Sequence, residues 1–374
     1  MVQSVNSIPA FDNQQQYSTI ASEISEAVLE VLSSGRYIGG PLVENLEQQL
    51  AVYTNVSDCV ACNSGTDALY LALRAYNIGA GDEVITTPFT FIATCEVISA
   101  VGAKPVFVDI NPATYNLDLQ QLACSITSNT KAIIPVHLFG QPVDMTELMQ
   151  LASAKNLLVI EDCAQSTGAM WNNQKVGSIG QVGCFSFYPT KNLGGCGDGG
   201  AITTNDTEIA TKLRVLKDHG QKSKYQYEEI GVNSRLDSIQ AAILLIKLRY
   251  LDIWNQQRQK IAARYHEFLT HVPEIIIPQE LTSGTGVWNQ YTIRVQNGKR
   301  DLLRNQLQEK GVNTAIYYPY PLHLQPVYQT LGYQPGQLPI VEQICNEVLS
   351  LPMFPELSEE QQDRVIYSIK EVMK

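Results

Sequence analysis

The chain has 374 residues, 44% of them hydrophobic and 17% charged, with a formal net charge of −11. That composition is ordinary for a globular protein and sufficient for a large core, and the length alone suggests two or three domains. Lys and Arg are scattered without a basic run, which argues against a nucleic acid polymer or an anionic membrane as partner but leaves room for a small anionic substrate held by a few donors.

Residues 1–8 lack a charged segment followed by an apolar stretch, and no apolar run is long enough to span a bilayer. A cytoplasmic protein is therefore expected, with its eight cysteines as reduced thiols. Glu23 to Ser34 has the pattern of an amphipathic helix ended by Gly35. From there to about residue 205, apolar segments alternate with helical ones. Strands are predicted at Cys59–Cys62, Glu83–Thr86, Pro105–Asp109, Ala132–Val136, Leu157–Asp162, Val182–Phe187 and Ala201–Thr204. Helices are predicted at Thr66–Tyr76, Phe91–Val101 and Asp144–Lys155. Several strands are continuous apolar runs, as expected for a mostly parallel sheet with helices on both faces. Cys59-Val-Ala-Cys62 matches C-x-x-C, but on a strand these two thiols point to opposite faces.

Arg235 to Tyr265 is a long helical pattern. Beyond it Tyr291–Val295 alternates as a half-exposed strand, and Asp301–Lys310 and Ile340–Leu349 are helical. The expected division is a large α/β domain over residues 1–249, including the N-terminal helix, and a small α+β domain over 250–374. Residues 282–286 are expected to form a turn inside the second domain.

The chemistry is expected at two strand ends. Lys191 follows the apolar run Cys184-Phe-Ser-Phe-Tyr-Pro-Thr and precedes a cluster of glycines. Poor solvation beside Phe185, Phe187 and Tyr188 lowers an amine's pKa and frees it to attack a carbonyl. Asp162 ends another apolar strand, in Leu158-Val-Ile-Glu-Asp162-Cys-Ala-Gln165. A lysine for a covalent anchor and an acid for a ring nitrogen are the minimal kit of pyridoxal 5′-phosphate (PLP) chemistry. Asn63-Ser-Gly65-Thr66-Asp67 follows a strand and opens a helix, where free N–H groups attract a phosphate. Phe91, with Phe89 in reserve, offers a ring face; Gln165 is placed to bond a ring substituent and Ser186 to donate to phosphate. Gly195-Cys-Gly197-Asp-Gly-Gly200 satisfies G-x-G-x-x-G, but it precedes a strand rather than opening a helix, so a dinucleotide site is rejected. The five histidines make no metal-ligand spacing, and no metal is expected.

These runs, with Gly35-Arg-Tyr-Ile-Gly-Gly-Pro41, Gly81-Asp-Glu-Val-Ile85, Thr90-Phe-Ile-Ala-Thr94 and Gly231-Val-Asn-Ser-Arg-Leu-Asp237, resemble nearly end to end the DegT/StrS family of PLP-dependent nucleotide-sugar aminotransferases. The resemblance implies the type I (aspartate) aminotransferase fold and a homodimer with shared active sites. It implies Lys191 as the covalent anchor, Asp162 on the pyridine nitrogen, Gln165 at the ring hydroxyl, Gly65, Thr66 and Ser186 on the phosphate, and Phe91 on the ring. Asn233 resembles the residue that reaches the phosphate from the partner subunit. Trp254-Asn-Gln-Gln-Arg258 and residues 311–325 resemble the branch acting on 3-keto sugars, although Tyr317 stands where many members have histidine, and Cys163 where alanine is usual. The implied reaction moves an amino group from an amino acid, glutamate by expectation, through pyridoxamine 5′-phosphate to C3 of a dTDP- or UDP-linked keto sugar. Tyr318, Tyr320 and His323 are candidate sugar contacts; Arg36 and Tyr37 are candidates for the nucleotide. The alternatives are a C4 aminotransferase of the same family and a non-catalytic PLP-binding regulatory protein. A sugar dehydratase of the same fold would have histidine in place of Lys191, and desulfuration would need a mobile catalytic cysteine.

Overall fold

A computed structural model describes residues 7–374. Of the N-terminal stretch from which the absence of a signal peptide is expected, residues 1–6 lie outside the described residues. Seven strands form the central sheet: β1 (Asp58–Cys62), β2 (Glu83–Thr86), β3 (Lys104–Phe107), β4 (Thr130–Ile134), β5 (Leu158–Asp162), β6 (Val182–Ser186) and β7 (Gly200–Thr204). Their order across the sheet is β1-β7-β6-β5-β4-β2-β3. The five strands from β2 to β6 run parallel, and β7 is antiparallel to both of its neighbours.

Alternation along each strand feeds two cores. Val60, Val84, Ile134, Ile160 and Ile202 point to the face covered by α3 (Gly65–Ala75), α4 (Ala93–Ala100) and α7 (Thr207–Leu216). Ile85, Ile133 and Val159 point to the opposite face, under α5 (Leu119–Ser125) and α6 (Met145–Ala154). Ala61, Phe185 and Ala201 lie there too, under α2 (Pro41–Thr54) and α8 (Ser238–Leu248). Cys59 and Cys62 fall in opposite cores, as the strand period requires, and all eight cysteines are free.

Helix α1 (Asn13–Ser34) begins ten residues earlier than its amphipathic pattern, because the Asp12 side chain caps the N–H groups of Gln14 and Gln15. Gly35, at φ +67°, closes it. The single helix expected over residues 235–265 is two: α8, and α9 (Leu251–Leu269), broken at Arg249 and Tyr250. The Tyr250 hydroxyl donates to Glu23 on α1 at 2.6 Å, which fixes the break against the N-terminal helix.

Beyond α9 stand α10 (Arg300–Glu309), α11 (Pro339–Glu347), α12 (Glu359–Val372) and a three-stranded sheet of residues 275–276, Tyr291–Val295 and Val348–Leu351. The last of these strands replaces the end of the helix expected over Ile340–Leu349. The strand expected to be half-exposed is buried throughout. Its polar face does not meet water: Thr292 bonds Ser350 at 2.8 Å, and Arg294 bonds Glu347 at 2.8 Å and the Pro112 carbonyl. Ile8 packs into this C-terminal core beside Val312.

Candidate active site

Strands β5 and β6 lie side by side, with Asp162 opposite Cys184. Asp162 ends β5, and Lys191 lies five residues beyond the end of β6. Both therefore sit at the C-terminal edge of the parallel sheet, where α/β proteins open their ligand crevice. The Lys191 N–H donates to the Tyr188 carbonyl at 2.9 Å, and Gly194 turns so tightly that a Cβ there would meet the Pro189 carbonyl oxygen at 2.4 Å. The loop is held from outside at alternate residues. Asn289 donates to the Thr190 carbonyl at 3.1 Å; Asn192 donates to Asn255 at 2.7 Å and to the Val287 carbonyl at 2.9 Å; Lys247 donates to the Gly194 carbonyl at 2.7 Å.

Lys191 is thus fixed on both sides, while its own amine has no hydrogen-bond partner among the described residues. Burial pushes its pKa down to about 8, partly opposed by Asp162. At neutral pH roughly a tenth of the amine is then uncharged, against well under a thousandth for an ordinary lysine.

Asp162 is buried, and burial raises its pKa. A bond from the Thr94 hydroxyl to Oδ2 at 2.8 Å and one from the Ala164 N–H to Oδ1 at 3.1 Å work against that rise, as do Lys191 and His137. Its neighbour Glu161 is a closed structural hub. It accepts from the N–H groups of Gly177, Ile179 and Gly180 and meets His137 Nε2 at 3.0 Å. His137 Nδ1 accepts from the Val143 N–H, so Nε2 carries the proton and donates to Glu161. His137, Glu161 and Cys163 bring three potential ligand atoms within 4.8 Å of one another, but these hydrogen bonds already use the imidazole and the carboxylate.

Gln165 is oriented by its own bonds. Its Oε1 accepts from the Phe139 N–H at 2.6 Å, and its Nε2 donates to the Tyr318 hydroxyl at 3.2 Å. One N–H of the amide is left for a ligand.

At the other end of the crevice, Ser64 caps α3 by accepting from the Asp67 N–H at 3.0 Å. The helix geometry leaves the N–H groups of Gly65 and Thr66 open. A Cβ on Gly65 would lie 2.6 Å from Ser186 Cβ and 3.1 Å from its Oγ, so only glycine lets the helix start and the end of β6 come together.

Of the two aromatic candidates, Phe89 is fully buried, edge-on to Tyr115, Phe139 and Tyr318, whereas Phe91 is 58% exposed and free to cover a ligand. Tyr320, Arg36, Tyr37 and Asn233 are exposed, and Tyr318 is half-buried. No hydrogen bond joins Arg36 or Tyr37 to Lys191 or Asp162 among the described residues. His323 is placed differently from the expectation of a sugar contact: its ring is buried against Phe107 and Tyr333 and meets Glu342 at 3.3 Å.

Thr94, Asn192, Asn255, Asn289 and Lys247 are absent from the sequence-based list of site residues. Each acts across a long sequence separation, which periodicity cannot register; the one available signal is the pair of threonines four apart in Thr90-Phe-Ile-Ala-Thr94.

These residues suit PLP: open N–H groups at Gly65 and Thr66 beside Ser186, an unbonded low-pKa lysine, a buried carboxylate, and an amide with a spare donor. The model of the DegT/DnrJ/EryC1/StrS aminotransferase family matches residues 18–370. The chain is 49% identical over 366 residues to a "Pleiotropic regulatory protein" of Geobacillus stearothermophilus, covering 97% of this chain and 98% of that protein. It is 43% identical over 366 residues to the UDP-N-acetyl-3-dehydro-α-D-glucosamine 3-aminotransferase of Acidithiobacillus ferrooxidans, covering 98% of each. The crystal structure of S. venezuelae DesV in complex with a ketimine intermediate superposes with a TM-score of 0.95 at 42% identity, covering 98% of both chains.

Proposed function

The chain belongs to the DegT/DnrJ/EryC1/StrS aminotransferase family, and from that premise we propose that it transfers an amino group from an amino acid, by our reading glutamate, to C3 of a UDP- or dTDP-linked keto sugar. The observation that carries this reading is the unbonded amine of Lys191, held to a pKa of about 8 and electrostatically coupled to the buried carboxylate of Asp162. The similarity to a UDP-sugar 3-aminotransferase supports C3.

Bound PLP supplies an electron-accepting ring that delocalises the negative charge left when a proton leaves the donor's α-carbon. Lys191 Nζ would anchor the cofactor covalently and would be the group that takes up and returns that proton. Asp162 holds a proton on the ring nitrogen, a charge-assisted bond worth a few kcal/mol in a dry site. Gly65 and Thr66 N–H groups and the Ser186 hydroxyl hold the phosphate, Gln165 donates its spare N–H to the ring oxygen, and Phe91 covers the ring. Tyr318 and Tyr320 are assigned to the sugar, and Arg36 and Tyr37 to the nucleotide.

We further assign a homodimer acting in the cytoplasm, in which Asn233 of the partner subunit reaches the phosphate. Leu29 and Leu32 on α1, Ile38 beyond it, Tyr225 and Tyr227 on the hairpin of Gln221–Ser223 and Gln226–Tyr227, and Ile230 beyond that hairpin are all exposed, Ile230 at 82%. These are the side chains that the homodimer interface is assigned to cover. No helix is long and apolar enough to cross a membrane among the described residues.

The test is direct. Purified protein is expected to be yellow, borohydride to fix the colour on a peptide containing Lys191, and glutamate to bleach it. A panel of nucleotide-linked keto sugars, offered to the pyridoxamine form, identifies the acceptor by product mass and regiochemistry. Amination at C4 would replace the C3 assignment. A chromophore that no amino acid bleaches would favour the regulatory reading that one relative's name carries.

A further inference from the structure

We propose that Thr94, backed by Thr90, is a positioning residue for the ring-nitrogen contact: two buried hydroxyls form a one-way hydrogen-bond chain that aims the Asp162 carboxylate and keeps it charged. The inference rests on the PLP reading above and adds a residue to it.

The default for a threonine in a helix is to return its hydroxyl to a carbonyl three or four residues back. Thr54 does so, donating to the Leu50 carbonyl at 2.6 Å, and so does Thr211, donating to the Thr207 carbonyl at 2.8 Å. Thr94, in the first turn of α4, does not. Its hydroxyl leaves the helix and donates to Asp162 Oδ2 at 2.8 Å, across 68 residues of sequence. Thr94 Oγ1 also lies 3.0 Å from Thr90 Oγ1. A hydroxyl has one proton to give. With the Thr94 proton committed to the carboxylate, the proton between the two threonines must come from Thr90, and the chain runs Thr90 to Thr94 to Asp162.

Both hydroxyls are shut away from water, Thr94 at 1% and Thr90 at 4% exposure. Water therefore cannot readily substitute for either donor. The only other direct donor to the carboxylate among the described residues is the Ala164 N–H, on Oδ1. His137 is tied to Glu161 and Val143. Among the described residues Thr94 is thus the one side-chain hydrogen-bond donor to Asp162; it adds to the pull of Lys191 and His137 on the carboxylate but carries no charge itself, so the carboxylate stays free to pair with a ring cation. The turn that leads into α4 ties Phe91 to Thr94: the Thr94 N–H donates to the Phe91 carbonyl at 3.4 Å.

The experiment compares Thr94→Val, which keeps the shape and removes the hydroxyl, with Thr94→Ser, which keeps the hydroxyl, and with Thr90→Val, all as PLP-loaded full-length protein. Three quantities are read: the PLP dissociation constant, the visible absorption band of bound PLP as a function of pH, and the single-turnover rate with glutamate. Thr94→Val should shift the pH profile of the visible band and slow the glutamate step about ten- to hundredfold, the usual weight of a hydrogen bond to a charged group, while PLP affinity changes far less. Thr94→Ser should restore the band and bring the rate within about threefold of the parent, since it keeps the charge-assisted donor. A Thr94→Val band and rate equal to the parent's would overturn the proposal. So would an equal loss in Thr94→Ser, which would make the residue a packing element. Should Thr94→Val not fold, Thr90→Val decides: a shifted band supports the chain and parental behaviour overturns it. A parent protein that gives no visible band with PLP would instead sink the cofactor reading itself, and this inference with it.

Discussion

The two ends of the crevice are built on opposite plans. At the Asp162 end every group is internal. The carboxylate is buried, two donors from its own chain fix it, and the Glu161–His137 hub braces the strand end beneath it. At the other end Ser186 is buried but Gly65 and Thr66 are partly open, and the residue assigned to finish the cradle, Asn233, is exposed. The difference follows from what each end must do. A ring nitrogen keeps its proton at neutral pH when an anion is held beside it in a dry place, which demands enclosure and preorganisation. A phosphate arrives already charged, and a few N–H groups at a helix start suffice. In the proposed function, chemistry is accordingly assigned within one chain and phosphate anchoring between two.

That contrast predicts a ranking of damage. Lys191→Ala removes anchor and proton carrier together. The glutamate half-reaction should fall by about four orders of magnitude, the upper range for a general acid–base group, and borohydride should label nothing; stopped-flow absorbance and peptide mapping check both. Asp162→Asn keeps shape and burial but cannot hold the ring proton. It should slow the same step roughly a hundredfold or more, at about 1.4 kcal/mol per decade, while phosphate-end affinity for PLP changes far less. If both parameters fell together, the two ends would not be separable as described.

The lysine's environment gives a pH test of the same internal end. Only the neutral amine attacks the cofactor aldehyde, and burial holds the Lys191 pKa at about 8. PLP uptake by the apoprotein should therefore accelerate about tenfold per unit from pH 6 towards 8 and then level off. A rate still climbing steeply at pH 9.5 would mean an ordinary solvated lysine.

The internal end was also the more legible one in the sequence. The central strands lie within one or two residues of their predicted limits because apolar runs bounded by Gly, Pro and Asn are a strong signal, and Lys191 and Asp162 follow from their place at strand ends. What was not legible depended on tertiary partners. Val348–Leu351 continues the apolar pattern of α11, and four residues cannot distinguish a strand from a last helical turn. The alternation of Tyr291–Val295 was genuine, but its polar face is buried by side-chain bonds rather than wet. Helices α7 and α12 are not assigned from the sequence although Asp206 and the Ser358–Gln361 box cap them, and α2, which has no side-chain cap, carries only Pro41 at its first position as a signal. His323 looked available because a loop histidine usually is; Phe107, Tyr333 and Glu342 enclose it from distant segments.

At the open end, smaller effects are expected. Gly65→Ala drives a Cβ to 2.6 Å from Ser186 Cβ, so the helix start must move away from the strand end. PLP affinity should fall about tenfold, the worth of one displaced phosphate donor, with the visible band of the fraction still loaded unchanged. Isothermal titration and absorbance separate the two.

Asn233→Ala should have the mildest effect and the most diagnostic one. Its neighbour Ser234 is buried and bonds Asn63 of the same chain, 3.1 Å from Oδ1, just upstream of the cradle. That contact holds the segment against its own subunit, while the Asn233 side chain stays exposed, free to serve a second copy. PLP affinity should drop up to about tenfold, with the fold intact by circular dichroism. Mixing then decides whose phosphate it serves. Lys191→Ala and Asn233→Ala chains, co-refolded one to one at a PLP concentration that does not saturate the Asn233→Ala homodimer, form hybrids in half of the dimers. If Asn233 acts across the interface, each hybrid holds one site with both residues intact, and tight PLP binding should return to about a quarter of the parental sites. If it acts within its own chain, no site in the mixture carries both, and the tight fraction should stay at zero.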